Sequence, residues 1–179
     1  MDSWDGYPAA RDRLIDVIKS NNLENLVVLT GDVHASWAAN LKADFDDPNS
    51  KIFGVEFVGT SITSGGNGAD KRADTDKILS QNPHIKFFND YRGYVRCKVT
   101  PEQWKADYRV VPFVTEPGAD ISTRASFVFD KDQTGLRKVA SAAVMEGVQK
   151  TNEVEEDRTR AHNRAHEKQR MKSQGKVTN

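Results

Sequence analysis

The chain has 179 residues, of which 37% are hydrophobic and 29% charged, and its 26 Lys and Arg balance 26 Asp and Glu to a formal net charge of zero. That length holds one domain with a sizeable core, and two only just, while the charge balance excludes a global basic field for nucleic acid. The single cysteine, Cys97, excludes an intrachain disulfide and a Cys-built zinc cage, and no apolar run approaches the length of a membrane span.

The opening Met1-Asp2-Ser3-Trp4-Asp5-Gly6 has neither a basic nor an apolar stretch, so no signal peptide is expected in this chain. Trp4 and Tyr7 flank an Asp-Gly turn and either line a cleft or cover the base of the first helix. Pro8 suits the start of that helix, where its missing N–H costs nothing. Leu14, Val17 and Ile18 follow at i, i+3 and i+4 and predict one apolar face, and Asn21-Asn22 closes the helix. The continuous run Leu26–Leu29 predicts a strand buried on both faces. A second strand is predicted from Ile52 to about Thr60, with Phe53, Val55 and Phe57 on one side. The small-residue stretch from Thr60 to Gly68 predicts a flexible loop, and Asp70 to Leu79 a short polar helix. Alternation then predicts strands carrying Val95, Cys97 and Val99 and, after the short linker at Pro101, Trp104, Ala106, Tyr108 and Val110, paired antiparallel. Ala125, Phe127 and Phe129 predict a last strand, closed by the turn from Asp130 to Gly135. The order suggests a mixed sheet or sandwich with helices outside it. Residues 1–145 are read as the folded part. Residues 146–179 carry eight basic and six acidic side chains with few apolar ones, and read as a charged tail, helical or disordered.

Gly31-Asp32-Val33-His34 is the first candidate for chemistry, because it leaves a strand at the end where open sheets place ligands. In an extended segment Asp32 and His34 would point the same way and Val33 toward the core. A carboxylate beside an imidazole suits a borderline or hard cation, although two donors do not complete a site. The spacing fits equally a surface Asp and His at a strand end. In Asn82-Pro83-His84, Pro83 holds Asn82 extended and turns Asn82 and His84 to one side, as a ligand contact or as a plain turn. Three other patterns fail. Gly59 to Gly66 lacks the lysine of a phosphate loop, His162 and His166 lack the glutamate of a zinc protease, and no serine nucleophile elbow is present. Cys97, in mid-strand, is expected to be inert packing.

Taken in order, Asp2-Ser3-Trp4-Asp5-Gly6-Tyr7-Pro8-Ala9-Ala10-Arg11, Leu29-Thr30-Gly31-Asp32-Val33-His34, Glu56-Phe57-Val58-Gly59-Thr60-Ser61-Ile62, Asn82-Pro83-His84-Ile85-Lys86-Phe87 and Arg92-Gly93-Tyr94-Val95 form a collinear series. The series resembles the C-terminal part of the PhoD-like alkaline phosphatases and phosphodiesterases over roughly Asp2 to Phe129. The resemblance implies an α+β fold, a partial calcineurin-like metallophosphoesterase β-sandwich flanked by helices. It implies hydrolysis of phosphate monoesters and diesters with iron and calcium, and makes Asp32 and His34 the paired metal ligands. Asp5 and His84 match family strings and are carried as substrate-contact candidates. Members of the family are much longer and exported, and their earlier metal loops bear Asp, Asn and a Cys ligand that have no counterpart here. The expectation is therefore that the isolated chain is inactive and poorly soluble. Its expected partners are a phosphate-ester substrate and the missing N-terminal half, with no nucleic acid or membrane. The alternatives are a non-catalytic remnant or subunit that binds a partner, and an adaptor acting through the tail.

Overall fold

The computed structural model describes residues 6–142. The order is α1 (Pro8–Ser20), β1 (Leu26–Thr30), β2 (Ser36–Lys42), β3 (Ile52–Val58), α2 (Thr75–Gln81), β4 (Ile85–Asn89), β5 (Arg92–Val99), β6 (Gln103–Val111), β7 (Ser122–Asp130) and β8 (Arg137–Ser141). The strands form two four-stranded sheets, in the orders β1-β3-β2-β4 and β5-β6-β7-β8. In the first sheet β1 runs parallel to β3, and β2 runs antiparallel to both β3 and β4. The second is an antiparallel meander. With two helices beside two sheets, the fold is α+β.

The core forms where the inward faces meet. Ala38, Val55, Phe57 and Phe87 of the first sheet pack with Ala106, Tyr108, Ala125, Phe127 and Phe129 of the second. Period-two alternation places them, because successive side chains leave opposite faces of a strand. The rings of Phe87 and Tyr108 lie 4.8 Å apart across the interface. The Tyr108 hydroxyl, buried in that core, donates to the Trp37 carbonyl and joins the sheets by a hydrogen bond. Both sheets end on the same flank in an edge strand paired on one side only, β1 in one and β5 in the other, and a cavity of about 280 Å³ opens there between Leu29, Phe57, Tyr94 and Val95.

Two sequence expectations change because of the position of β1 and β5 at this flank. Leu26–Leu29 is not buried on both faces. It is an edge strand, and Leu29 is 57% exposed. Cys97 is exposed rather than packed, and Val99 beyond it is exposed as well. In α1, Pro8 does sit in the first turn and Asn21 caps the end, its Nδ2 donating to the Val17 carbonyl at 2.8 Å. Its apolar face is only partly used, since Ile18 is buried whereas Leu14 and Val17 are exposed. The polar helix starts at Thr75 rather than Asp70. The preceding residues are committed to tertiary pairs: Asp70 binds Arg124 at 2.5 Å, and Arg72 binds Asp90 at 2.6 Å. Three strands, β2, β4 and β8, are not among those that sequence alternation predicts. The charged tail at 146–179 lies outside the described residues.

Candidate metal centre

Strands β1, β3 and β4 run in one direction, so their carboxyl ends share one edge of the first sheet. The segments 31–35 and 59–68 both leave from that edge, where Thr30 pairs with Val58. The corner 90–91, where the chain crosses into the second sheet, lies there too, because Ser36 pairs with Asn89. Open sheets place ligands at such carboxyl ends.

Asp32 and His34 sit on the first of these segments, both exposed. The backbone is not extended. Asp32 has φ 72° and His34 φ 52°, a left-handed conformation that costs a non-glycine residue about 1–2 kcal/mol. Asp32 and His34 are therefore not brought to one side by an extended backbone, and Val33 does not turn inward but is 51% exposed. The loop instead closes on itself, Val33 N–H donating to the Gly31 carbonyl at 2.9 Å. The two candidate ligands stand at the expected end of the sheet, on a tight left-handed turn.

That turn is held from behind by Arg92, whose side chain is 1% exposed. Its Nη1 donates to the His34 carbonyl at 2.8 Å, to Ser61 Oγ at 2.9 Å and to the Ser64 carbonyl at 2.8 Å. Its Nη2 donates to the Asp90 carbonyl and, at 3.0 Å, to the Asp90 carboxylate. Burial lowers the Arg92 pKa and the Asp90 carboxylate raises it against that pull; a guanidinium so paired stays charged. The glycine-rich segment is thus pinned rather than loose. Ser61 Oγ also donates to the Ser64 carbonyl at 2.6 Å. Gly65 (φ 88°) leaves room for the neighbours, since a Cβ there would stand 3.3 Å from Arg92 Nη1 and 3.8 Å from His34 Nδ1. Sequence reasoning missed Arg92 as a site residue. An arginine before Gly93 at a strand start has no spacing signature, and the three acceptors of its Nη1 lie 28 to 58 residues away.

The other candidates are elsewhere. Asp5 lies outside the described residues. His84 stands at the opposite end of β4, where its carbonyl accepts from Asn40 N–H at 2.9 Å and its ring meets Phe45 edge-on at 4.9 Å. Five residues of strand at about 3.3 Å each separate that end from the His34 end. The candidate donors Asp32 and His34 fit iron and calcium in kind, imidazole and carboxylate. They do not fit in number, because no group of three or more His, Cys, Asp or Glu gathers to hold a metal among the described residues.

A family profile described as PhoD-like phosphatase matches residues 1–108. This chain belongs to the PhoD-like phosphatase family. It is 74% identical over all 179 residues to alkaline phosphatase D of Bacillus subtilis (strain 168), covering 31% of that protein. It is similar to a solved structure of PhoD with a TM-score of 0.84 and 75% identity, over 96% of this chain and 33% of that one. The chain spans about a third of the length of the PhoD-like relatives it matches. The α+β sandwich is therefore a PhoD fold, and the end of the sheet bearing Asp32 and His34 belongs to a PhoD-like protein.

Proposed function

We propose that this chain contributes Asp32 and His34 as two protein ligands of a phosphoesterase metal centre that hydrolyses phosphate esters, and that the 179 residues alone do not turn substrate over. One observation carries the reading: in a PhoD-like chain, an Asp and a His stand on a left-handed turn at the carboxyl end of the sheet, braced by a buried arginine. Strained backbone of this kind concentrates at functional sites. Imidazole suits iron and carboxylate suits calcium. When bound, such ions supply Lewis-acid chemistry to a phosphate ester. The residues of this chain would hold and orient them from one side. Two donors bind a catalytic ion poorly, hence the expected inactivity of the isolated chain.

The test is hydrolysis of a nitrophenyl phosphate ester by the chain joined to the remaining two thirds of a PhoD-like phosphatase. Asp32→Ala and His34→Ala should each bring turnover to background. Full turnover in either variant removes that residue from the site. The same assay tests His84, which stands a strand length from His34: a raised KM in His84→Ala would keep it as a substrate contact, and an unchanged KM removes it.

A second reading is favoured by the open flank. There β1 and β5 expose Leu29, Tyr94 and Val99 beside unpaired strand edges, the surface of a subunit that docks a strand-bearing partner. The partner of fitting chemistry is the remainder of a PhoD-like phosphatase, in the same polypeptide or a separate one. Calorimetry with calcium and iron(II) salts separates the readings. Stoichiometric metal uptake by this chain alone argues against a purely non-catalytic subunit.

A further inference from the structure

We infer that Arg92 is the positioning residue of the His34 turn, fixing where the imidazole is presented; the inference rests on the reading of Asp32 and His34 as metal ligands. The guanidinium is anchored by Asp90, itself braced by Arg72 at 2.6 Å. From that anchor one nitrogen, Nη1, holds the His34 carbonyl together with both ends of the Ser61–Ser64 turn. Two loops from different strands and the corner between the sheets therefore share one buried cation. His34 keeps a left-handed φ of 52° without a glycine, and the Arg92 bond to its carbonyl offsets that cost on the loop. Gly68 preserves the approach: a Cβ there would stand 2.8 Å from Nη2 and 1.9 Å from the Asp90 carbonyl. A lysine cannot replace the fork, because an ammonium is a point charge without the planar pair of nitrogens that reaches Asp90 and the three acceptors together. Groups that orient a metal ligand without touching the metal typically change affinity by about 10–100-fold.

The experiment uses the full 179-residue chain, isotopically labelled, with Co²⁺ alone as the probe. Two quantities are read by NMR: the Co²⁺ midpoint at the His34 ring, and microsecond-to-millisecond exchange at the His34 and Ser64 amides without metal. In Arg92→Lys the midpoint should rise by about tenfold or more, and exchange should appear at those amides, while the amide spectrum of β6 and β7 stays native. An unchanged midpoint and a quiet His34 turn in folded Arg92→Lys overturn the inference. If that variant does not fold, Ser61→Ala removes one acceptor of Nη1 without stranding a buried charge. It should produce the same exchange, and its absence overturns the inference. If Co²⁺ binds His34→Ala as tightly as the wild type, the ligand reading fails instead, whereas a wild-type His34 ring unmoved by Co²⁺ is what two donors alone allow. The metal-free exchange then still decides whether Arg92 positions the turn.

Discussion

Asp107 shows how a single residue's charge is set by its neighbours. It faces away from the core on β6, but its side chain is only 8% exposed, because Arg96 and Ser126 stand opposite it on the adjoining strands. Ser126 Oγ donates at 2.6 Å, Arg96 Nη2 at 2.8 Å, and Lys105 pairs at 3.2 Å. Burial pushes the carboxyl pKa up, and these bonds outweigh it, bringing it down to about 2. A carboxylate with a lowered folded pKa contributes stability above its unfolded value and loses it as pH falls through the folded one. Acid titration of stability should therefore show a loss between about pH 4 and pH 2, worth about 2 kcal/mol, that Asp107→Asn lacks. His84 shifts in the same direction. Burial first, then Lys42 and Lys86, lower its pKa, so the neutral ring is favoured. Its contribution is present above the ordinary value and lost as pH falls through the lowered one. NMR titration of the ring should give a midpoint below 6.5, moving upward in Lys86→Gln. Across the core, Tyr108→Phe should cost about 1 kcal/mol in urea unfolding by removing the bond to the Trp37 carbonyl. The alternation of β6 makes Tyr108 legible as core in the sequence. It does not disclose that Asp107 is covered, because the covering residues come from two other strands.

The strands differ in legibility for a physical reason. Phe53, Val55 and Phe57 alternate with less apolar neighbours and announce β3; Ala125, Phe127 and Phe129 do the same for β7. In β2, Asn40 and Lys42 fall on buried positions, and only tertiary partners make that tolerable: Asn40 Oδ1 accepts from Leu136 N–H at 2.8 Å, and Lys42 Nζ donates to the Asp47 carbonyl. No local pattern encodes such partners. Strand β4 was hidden behind the Asn-Pro-His turn that precedes it, and β8 is exposed along its whole length, so it carries no burial pattern to detect. The stretch from Thr60 to Gly68 reads as a flexible loop because most of its residues are small; at Gly65 and Gly68 the structure gives a reason, because Arg92 and Asp90 press against them. Gly68, at φ 77° with Asp90 oxygen 1.9 Å from a would-be Cβ, should therefore tolerate no side chain. Gly68→Ala is expected to destabilise the fold by about 2 kcal/mol or more, measured by chemical denaturation.

For the whole molecule, the open flank governs behaviour in solution. The edge strands β1 and β5, with Leu29 and Val99 each 57% exposed, present apolar edges that template association. The isolated chain should self-associate in sedimentation experiments, and Leu29→Lys with Val99→Lys should shift it toward monomer; a wild-type monomer at high concentration would contradict this. Five short motifs in fixed order already disclose the family in the sequence, and local alternation discloses β3, β5, β6 and β7. The sequence also selected Asp32 and His34 and placed them at a strand end. Tertiary structure alone decided that their turn is left-handed, that His84 stands a strand length away, and that Arg92 holds the turn. Local periodicity records only which way a side chain leaves its own strand, whereas a hydrogen bond between Arg92 and a carbonyl 58 residues earlier exists only once both sheets have packed.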